Sequence, residues 1–457
     1  MKSVKNNFLH LTYHLSRFLS HPGIRRYGIN TAWLFSEQVL RLIAGFLVGV
    51  WVARYLGPEK FGLFSYALAF VSIFQGIAKL GLDGIVVRDL VREPEKRDVY
   101  LGTSFWLKLI GGVITFLIIA IILFIQSIFT FNFFTETNIY ILIIAFGIIF
   151  QSFEVIDFYY QATVQAKYIS IRRIIQLILS SIIKIFLVLI GADLIWFVLV
   201  SLFDIISLSI MGWLIYRSQG LPNFVRYFDI EIGKKLLKDS WPLLLSSVAI
   251  SIYMRIDQVM IKNMLGDREV GLYSAAMKLV EVWYFIPMII TQSVFPAIVN
   301  TKKISEELYY KRLQQLFSFL VMINVLIIIL IAIFSKKTVH ILYGDKFIEV
   351  SDVLQIAVWS TVFVSLFVAS GSWLINENYT KIALYRNLGA AIVNVMLNIF
   401  LINYYGIKGA AYATLLSFFI SGFLFDLYHH KTRSIFFIKI RALTIIGVIR
   451  YEKNRSL

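Results

Sequence analysis

Four basic side chains, Arg41, Lys184, Arg255 and Lys278, stand inside long apolar stretches, and the acids Glu37, Glu154, Asp157 and Asp257 share those stretches. A charge held in hydrocarbon costs at least about 2.5–3.5 kcal/mol, so such residues are expected to face a wet cavity or a partner and are candidates for function. At 1.5 Å per residue, Arg41 lies about 18 Å along its helix and Arg255 and Lys184 about 20 Å along theirs, close to mid-membrane. Cations at one depth can host an anion, and a guanidinium holds two phosphate oxygens at once without losing its proton. The acids could instead take up a proton, because burial disfavours the bare anion. Mutual neutralisation is the competing reading. Glu37 precedes Arg41 by four residues and Lys278 precedes Glu281 by three, and Glu154 or Asp157 could meet Lys108 or Lys184. Asp257 lies about 200° around the helix from Arg255 and cannot neutralise it on the same face.

The steps of four through Glu37, Arg41, Gly45 and Gly49 give the first span one polar, small-residue side. Gly45 and Gly49 also match a small-xxx-small pattern, which predicts close helix packing. In the fourth span, Gln151, Glu154, Asp157, Gln161 and Gln165 recur every three or four residues and predict a polar ribbon facing the bundle interior. Gly57, Gly62, Gly266 and Gly271 bound short outer turns, where a missing Cβ is useful, and could also act as hinges. Arg88, Arg92, Lys96 and Arg97 are expected to anchor orientation beside anionic lipid. All six histidines fall outside the spans and cysteine is absent, so no histidine relay, thiolate metal site or disulfide is expected.

These residues must be positioned by a bilayer-spanning framework. Of the 457 residues 59% are apolar and only 16% charged, which places the chain in a membrane rather than in solution. The fold class expected is an all-α polytopic membrane protein with about twelve transmembrane helices. The spans are read as 29–53, 61–80, 101–125, 139–161, 171–191, 194–216, 241–265, 270–298, 314–334, 350–375, 382–404 and 407–428. With both termini inside, about 30 of the 44 Lys and Arg residues fall on cytoplasmic segments and about 8 outside. The net charge of +17 therefore reads as a topology signal and not as a nucleic-acid surface. Shifting the chain by 209 positions lays Leu56, Gly57, Gly62, Leu63 and Ser65 on Leu265, Gly266, Gly271, Leu272 and Ser274. A shift of 214 lays Arg172, Ile185, Phe186 and Leu187 on Arg386, Ile399, Phe400 and Leu401. Six spans per repeat keep the halves in the same orientation, with a cationic cavity expected between two six-helix lobes. The domains expected are an amphipathic leader (1–28), an N-lobe (29–216), a linker (217–240), a C-lobe (241–428) and a basic tail (429–457).

Three stretches resemble a known family. They are Arg54-Tyr-Leu-Gly-Pro-Glu-Lys-Phe-Gly-Leu-Phe-Ser65 with Leu80-Gly-Leu-Asp-Gly-Ile-Val-Val-Arg-Asp89; Arg255-Ile-Asp-Gln258 with 265–276, Lys278 and Pro287; and Asn394-Val-Met-Leu-Asn398 with 405–414. Together they resemble the polysaccharide-export branch of the multidrug, oligosaccharidyl-lipid and polysaccharide exporters, which includes O-antigen flippases. The resemblance implies a multi-pass inner-membrane protein whose cargo is a polyprenyl-diphosphate-linked oligosaccharide, with a polymerase and glycosyltransferases as partners. On that reading Arg41, Arg255, Lys184 and Lys278 would contact the diphosphate, while Glu37, Glu154, Asp157 or Asp257 would couple transport to a H+ or Na+ gradient. The first span lacks the early proline usual in multidrug exporters of this superfamily, which disfavours drug export. An enzyme acting on polyprenyl-linked sugars is disfavoured too, since no Asp-x-Asp pair occurs and the longest outer connection, 335–349, is short. No Gly-x-x-x-x-Gly-Lys-Ser/Thr loop is present, so neither nucleotide-driven pumping nor a cofactor is expected.

Overall fold

The computed structural model describes residues 22–130 and 135–444, all helix, turn or loop. The leader up to residue 21 and the tail beyond 444 lie outside the described residues. Helix α1 (Pro22–Lys79) holds the first two crossings, separated at Gly57, whose φ of 72° only glycine adopts freely. Pro58 follows in the first turn of the second limb, where its missing N–H costs nothing. Next come α2 (Asp83–Arg92), α3 (Arg97–Thr130), α4 (Glu136–Phe150), α5 (Val155–Ala162), α6 (Ala166–Leu189) and α7 (Leu194–Ser218). The second half comprises α8 (Ile230–Met264), α9 (Asp267–Thr301), α10 (Glu306–Tyr343), α11 (Val350–Ala357), α12 (Ser360–Asn376), α13 (Thr380–Tyr405) and α14 (Ile407–Phe419). After a π-turn come α15 (Phe425–Tyr428) and α16 (Arg433–Leu443).

Among the described residues nine helical stretches are long and apolar enough to cross a membrane, or ten if the pair α11 and α12, bent by 40°, is one span. One of the nine, Gly28–Arg92, carries both limbs of α1, and α6 runs 24 residues, about 36 Å, despite its internal cations. Adding those two crossings to ten gives twelve, so the ends of the span region share one face, called here the terminal face. The ribbon expected along the fourth span is interrupted: α4 tightens into a 3₁₀ turn at Gln151–Glu154 before α5 resumes, and α5 stops at Ala162, short of Gln165. The seventh span begins within the expected linker, at Ile230, where Asp229 accepts from the amides of Glu231 and Ile232. The tail is not all loose charge. Helix α16 buries Ile435, Ile438 and Ala442 against the core around α10, and Lys439 closes on Asp426.

One apolar core, on the face opposite the terminal one, draws from both halves, with Val50, Phe61, Val71 and Ile144 beside Ile261, Tyr273, Tyr343 and Ile402. Nearer the terminal face the core divides. Leu82, Tyr100, Tyr160 and Phe224 form one cluster with the start of α8, whereas Phe295, Phe317, Leu366 and Trp373 form another. The two lobes are thus joined through the opposite face, and nearer the terminal face α8 still packs on the N-lobe, where Gly76 and Gly81 meet the backbone of Val248, Leu244 and Ser240 and Arg88 pairs with Asp239 at 2.8 Å.

The join has a two-fold logic. A Cβ on Gly62 would overlap the carbonyl of Asp267, and a Cβ on Gly271 would overlap that of Pro58. Under the 209-residue shift Pro58 maps to Asp267 and Gly62 to Gly271, so the contact is reciprocal, as at an isologous dimer interface. Of the four glycines read as turn formers, Gly57 and Gly266 have positive φ, 72° and 116°, as a turn requires. Gly62 and Gly271 lie inside helices and serve close approach instead.

Candidate functional site

Lys278, on α9, sits where the lobes meet. Its ammonium occupies the place a side chain at Gly49, on the first limb of α1, would fill, and it lies 5.8 Å from the Phe61 ring. Among the described residues no carboxylate pairs with it; Lys184 and Glu281 are in electrostatic range but not in contact. The expected Lys278–Glu281 pair therefore does not form. Glu281 turns to Arg255, 3.0 Å away on α8. Lys184, on α6, meets Asp204 of α7 at 3.0 Å, and Gln176 donates to the same carboxylate at 2.7 Å. Lys184, Arg255 and Lys278 thus face two carboxylates, Asp204 and Glu281, and three minus two leaves one cation over.

Arg41 belongs to a second group. Its Nε donates to Glu37 at 2.7 Å, the pairing its spacing predicts. Glu37 is buried and also has Arg173 at 3.8 Å, while Arg41 keeps 46% of its side-chain surface open. Arg172 binds Asp157 and donates to the Leu208 carbonyl at 3.2 Å, and Arg173 reaches Asp157 at 3.1 Å. Arg41, Arg172 and Arg173 against Glu37 and Asp157 again leave one positive charge over. Arg41, Lys184 and Arg255, expected at one depth, are sorted by their partners into these two groups. The 3₁₀ turn in the fourth span opens a small cavity beside the second group, lined by Gln151, Glu154, Asp157, Arg172 and Arg173. Irregular backbone at this depth is tolerated where it borders a cavity.

The four candidate acids separate by partner. Glu37 and Asp157 are held by arginines, and Glu154 takes Lys108 at 2.8 Å, with Asp83 also 3.8 Å from that ammonium. Asp157 does not pair with Lys184. Asp257 is the exception: 4% exposed, it meets no cation in any described contact. It accepts instead from Asn398 at 2.6 Å, Tyr273 at 2.6 Å and Thr414 at 2.5 Å, and Asn398 also donates to Asn394 at 3.1 Å. Three neutral donors hold the carboxyl in place, while the Asn398 carbonyl oxygen is buried with no donor of its own.

Sequence reasoning passed over Arg173 and Asp204, although an ionisable residue inside an apolar span was signal enough for both. It also read Gly49 as a helix-packing residue, whereas nothing lies near Gly45 and the neighbour of Gly49 is the Lys278 ammonium.

A membrane-embedded two-lobed bundle with half-buried cations beside the lobe contact points to a transporter class, and the comparisons with known proteins narrow it. The chain belongs to the polysaccharide biosynthesis protein family, whose family model matches residues 28–302; a second model, MatE, matches residues 242–400. It is 25% identical over 405 residues to a protein of Haloferax volcanii named "Probable low-salt glycan biosynthesis flippase Agl15", covering 85% of this chain and 80% of that one. In fold it is similar to a multidrug resistance MATE family transporter of the MOP superfamily in its inward-facing conformation, with TM-score 0.66, 16% identity and coverage of 88% and 94% of the two chains. It is equally similar to the lipid II flippase MurJ in an inward closed conformation, with TM-score 0.66, 18% identity and coverage of 93% and 92%. The chain is a multi-pass membrane protein of the flippase and transporter kind.

Proposed function

We propose that this chain flips a polyprenyl-diphosphate-linked oligosaccharide, the repeat unit of an O-antigen, capsule or exopolysaccharide, from the inner to the outer leaflet of the cytoplasmic membrane. The observation that carries the reading is Lys278: a cation between the lobes with no carboxylate of its own, within range of Lys184 and of the Arg255–Glu281 pair. An anionic headgroup entering the gap completes that group's charge balance, and Arg255 and Lys184 can turn from their part-exposed carboxylates toward it. Arg41, on the rim of the second group, is the corresponding contact in the N-lobe.

With the terminal face cytoplasmic, the reciprocal glycine contact closes the outer side, and on the inner side α8 meets the N-lobe at Gly76 and Gly81. Alternating access then requires the glycine contact and the inner α8 contact to part in turn, with the lipid tail remaining in the bilayer through a lateral opening. Asp257, the candidate acid without a cation, is where a Na+ ion or proton would bind to drive the cycle. The polymerase and glycosyltransferases of the same pathway are the expected partners.

Reconstituted in vesicles with a fluorescent polyprenyl-diphosphate sugar, Lys278→Gln is expected to lose at least about tenfold in flipping, the loss of one charge-assisted contact of about 1.4 kcal/mol. Unchanged flipping by a well-folded variant would remove the assignment. The MatE match and the MATE neighbour favour a second reading, export of organic cations. Dye-cation efflux assayed in the same vesicles separates the two, and efflux without sugar-lipid flipping would establish export in place of flipping.

A further inference from the structure

Away from the gap, α9 and α10 diverge to leave a cavity of about 350 Å³ whose walls both belong to the C-lobe. Ile290, Val294 and Ile298 form one wall at steps of four, and Leu316, Phe319 and Met322 line the other. Residue 290 is eleven residues from the end of α9 at Thr301, and residue 322 is sixteen from the start of α10 at Glu306, so the cavity lies within about 24 Å of the terminal face. It is therefore confined largely to one leaflet. Its rim is polar and basic. Arg312 opens the groove, held at 3.1 Å by Gln315 and paired with no carboxylate among the described residues. Lys311 on α10 and Lys303 in the turn joining the two helices are exposed outside the lining, with Glu306 and Glu307 exposed between them, so Arg312 is the cation of the lining itself. Inside the rim, Gln314 donates to Ser318 at 3.2 Å while its carbonyl oxygen is shut off from solvent without a donor.

An apolar slot within one leaflet, with the Arg312 guanidinium at the depth of the headgroups and a bare acceptor just below it, matches an anionic amphiphile whose headgroup also carries hydroxyl donors. Because α10 carries the C-lobe core and α9 carries Lys278, an occupant here would touch the helix that lines the gap without entering it. We propose that the groove between α9 and α10 is a binding site for an anionic phospholipid of the terminal-face leaflet, phosphatidylglycerol being the chemistry that fits both Arg312 and Gln314.

The test uses the full-length protein in nanodiscs of equal phosphatidylglycerol and phosphatidylcholine, followed by native mass spectrometry of retained lipid. Wild type is expected to keep phosphatidylglycerol about fivefold over phosphatidylcholine, the preference one basic group confers near a headgroup. Arg312→Gln, an exposed change that leaves the core untouched, should bring that ratio close to one, and Val294→Trp should reduce retention of both lipids by filling the groove. Equal retention of the two lipids by wild type, or an unchanged ratio in Arg312→Gln, overturns the proposal. So does displacement of phosphatidylglycerol by equimolar polyprenyl phosphate, which would make the groove a berth for the cargo's tail.

Discussion

The two lobes share a frame but not a chemistry. Under the 214-residue shift, Asn394, Asn398 and Thr414, which surround Asp257, fall on Ser180, Lys184 and Val200, and under the 209-residue shift Asp257 itself falls on Val48. Where the C-lobe buries an acid among neutral donors, the N-lobe places an ammonium paired with Asp204. The same contrast recurs nearer the terminal face. Arg172 has Asp157 as its partner, but the matching Arg386 points at Gly371, the position equivalent to Asp157. Arg386 instead stacks on Phe367 at 3.9 Å and donates to Ser370 at 2.9 Å. The repeat keeps where helices run but not the charges riding on them, so that the candidate acids of the N-lobe all have cations beside them and the C-lobe keeps Asp257 with none.

The sharpest way to break this comparison is to remove each arginine in turn. Arg172→Met takes one of its two arginines from the buried Asp157 carboxylate and is expected to cost about 3 kcal/mol, the low end for a broken buried pair because Arg173 still reaches Asp157. Arg386→Met strands no carboxylate, since Asp426 keeps Lys439, and should cost at most about 2 kcal/mol for the lost ring contact. Thermal unfolding in detergent ranks the two, and a reversed order would mean the lobes do not differ as described.

A somewhat smaller effect is expected at Asp257. Asp257→Ala leaves Tyr273, Thr414 and Asn398 without their acceptor and should lower stability by about 1–3 kcal/mol, whereas Asp257→Asn should recover most of that. Both variants should lose any stimulation of flipping by an imposed Na+ or H+ gradient. Flipping by Asp257→Asn that still follows the gradient would place coupling elsewhere, with Glu154 the next acid to examine.

Where the lobes are alike, substitutions should be alike. Gly62→Ala and Gly271→Ala each set a methyl against the partner carbonyl, so both are expected to shift the balance away from the closed opposite face by about 1 kcal/mol. Cysteine accessibility at that face should rise about fivefold in either variant, and a large inequality between them would show that the contact is not reciprocal.

Much of the framework was legible in the residues. Apolar runs of bilayer length marked the spans, and the repeat at Leu56–Ser65 and Leu265–Ser274 marked the two halves, because span length and glycine turns are local properties. Pairings between helices were not legible. Arg172–Asp157 and Lys184–Asp204 depend on how each helix is rotated against its neighbour, and spacing along one helix carries no such information. Glu37–Arg41 was readable for the converse reason, its partners being one turn apart on the same helix. Lys278–Glu281 had similar spacing and failed, since Arg255 on α8 competes for the same acid. The 3₁₀ break at Gln151–Glu154 and the docking of α16 likewise depend on neighbours far along the chain.

At the reciprocal crossing of Gly62 and Gly271 the closure described is bare peptide against bare peptide, with no side chain of either glycine to act as a latch. Such a crossing resists separation through shape and dispersion, with Arg54 adding one hydrogen bond to the Ile341 carbonyl at 3.3 Å on the same face, so its two conformations can lie within a few kcal/mol of each other. On the proposed function, what tips the protein from one to the other would act from the charged interior, where an arriving or departing anion changes the balance by a comparable amount.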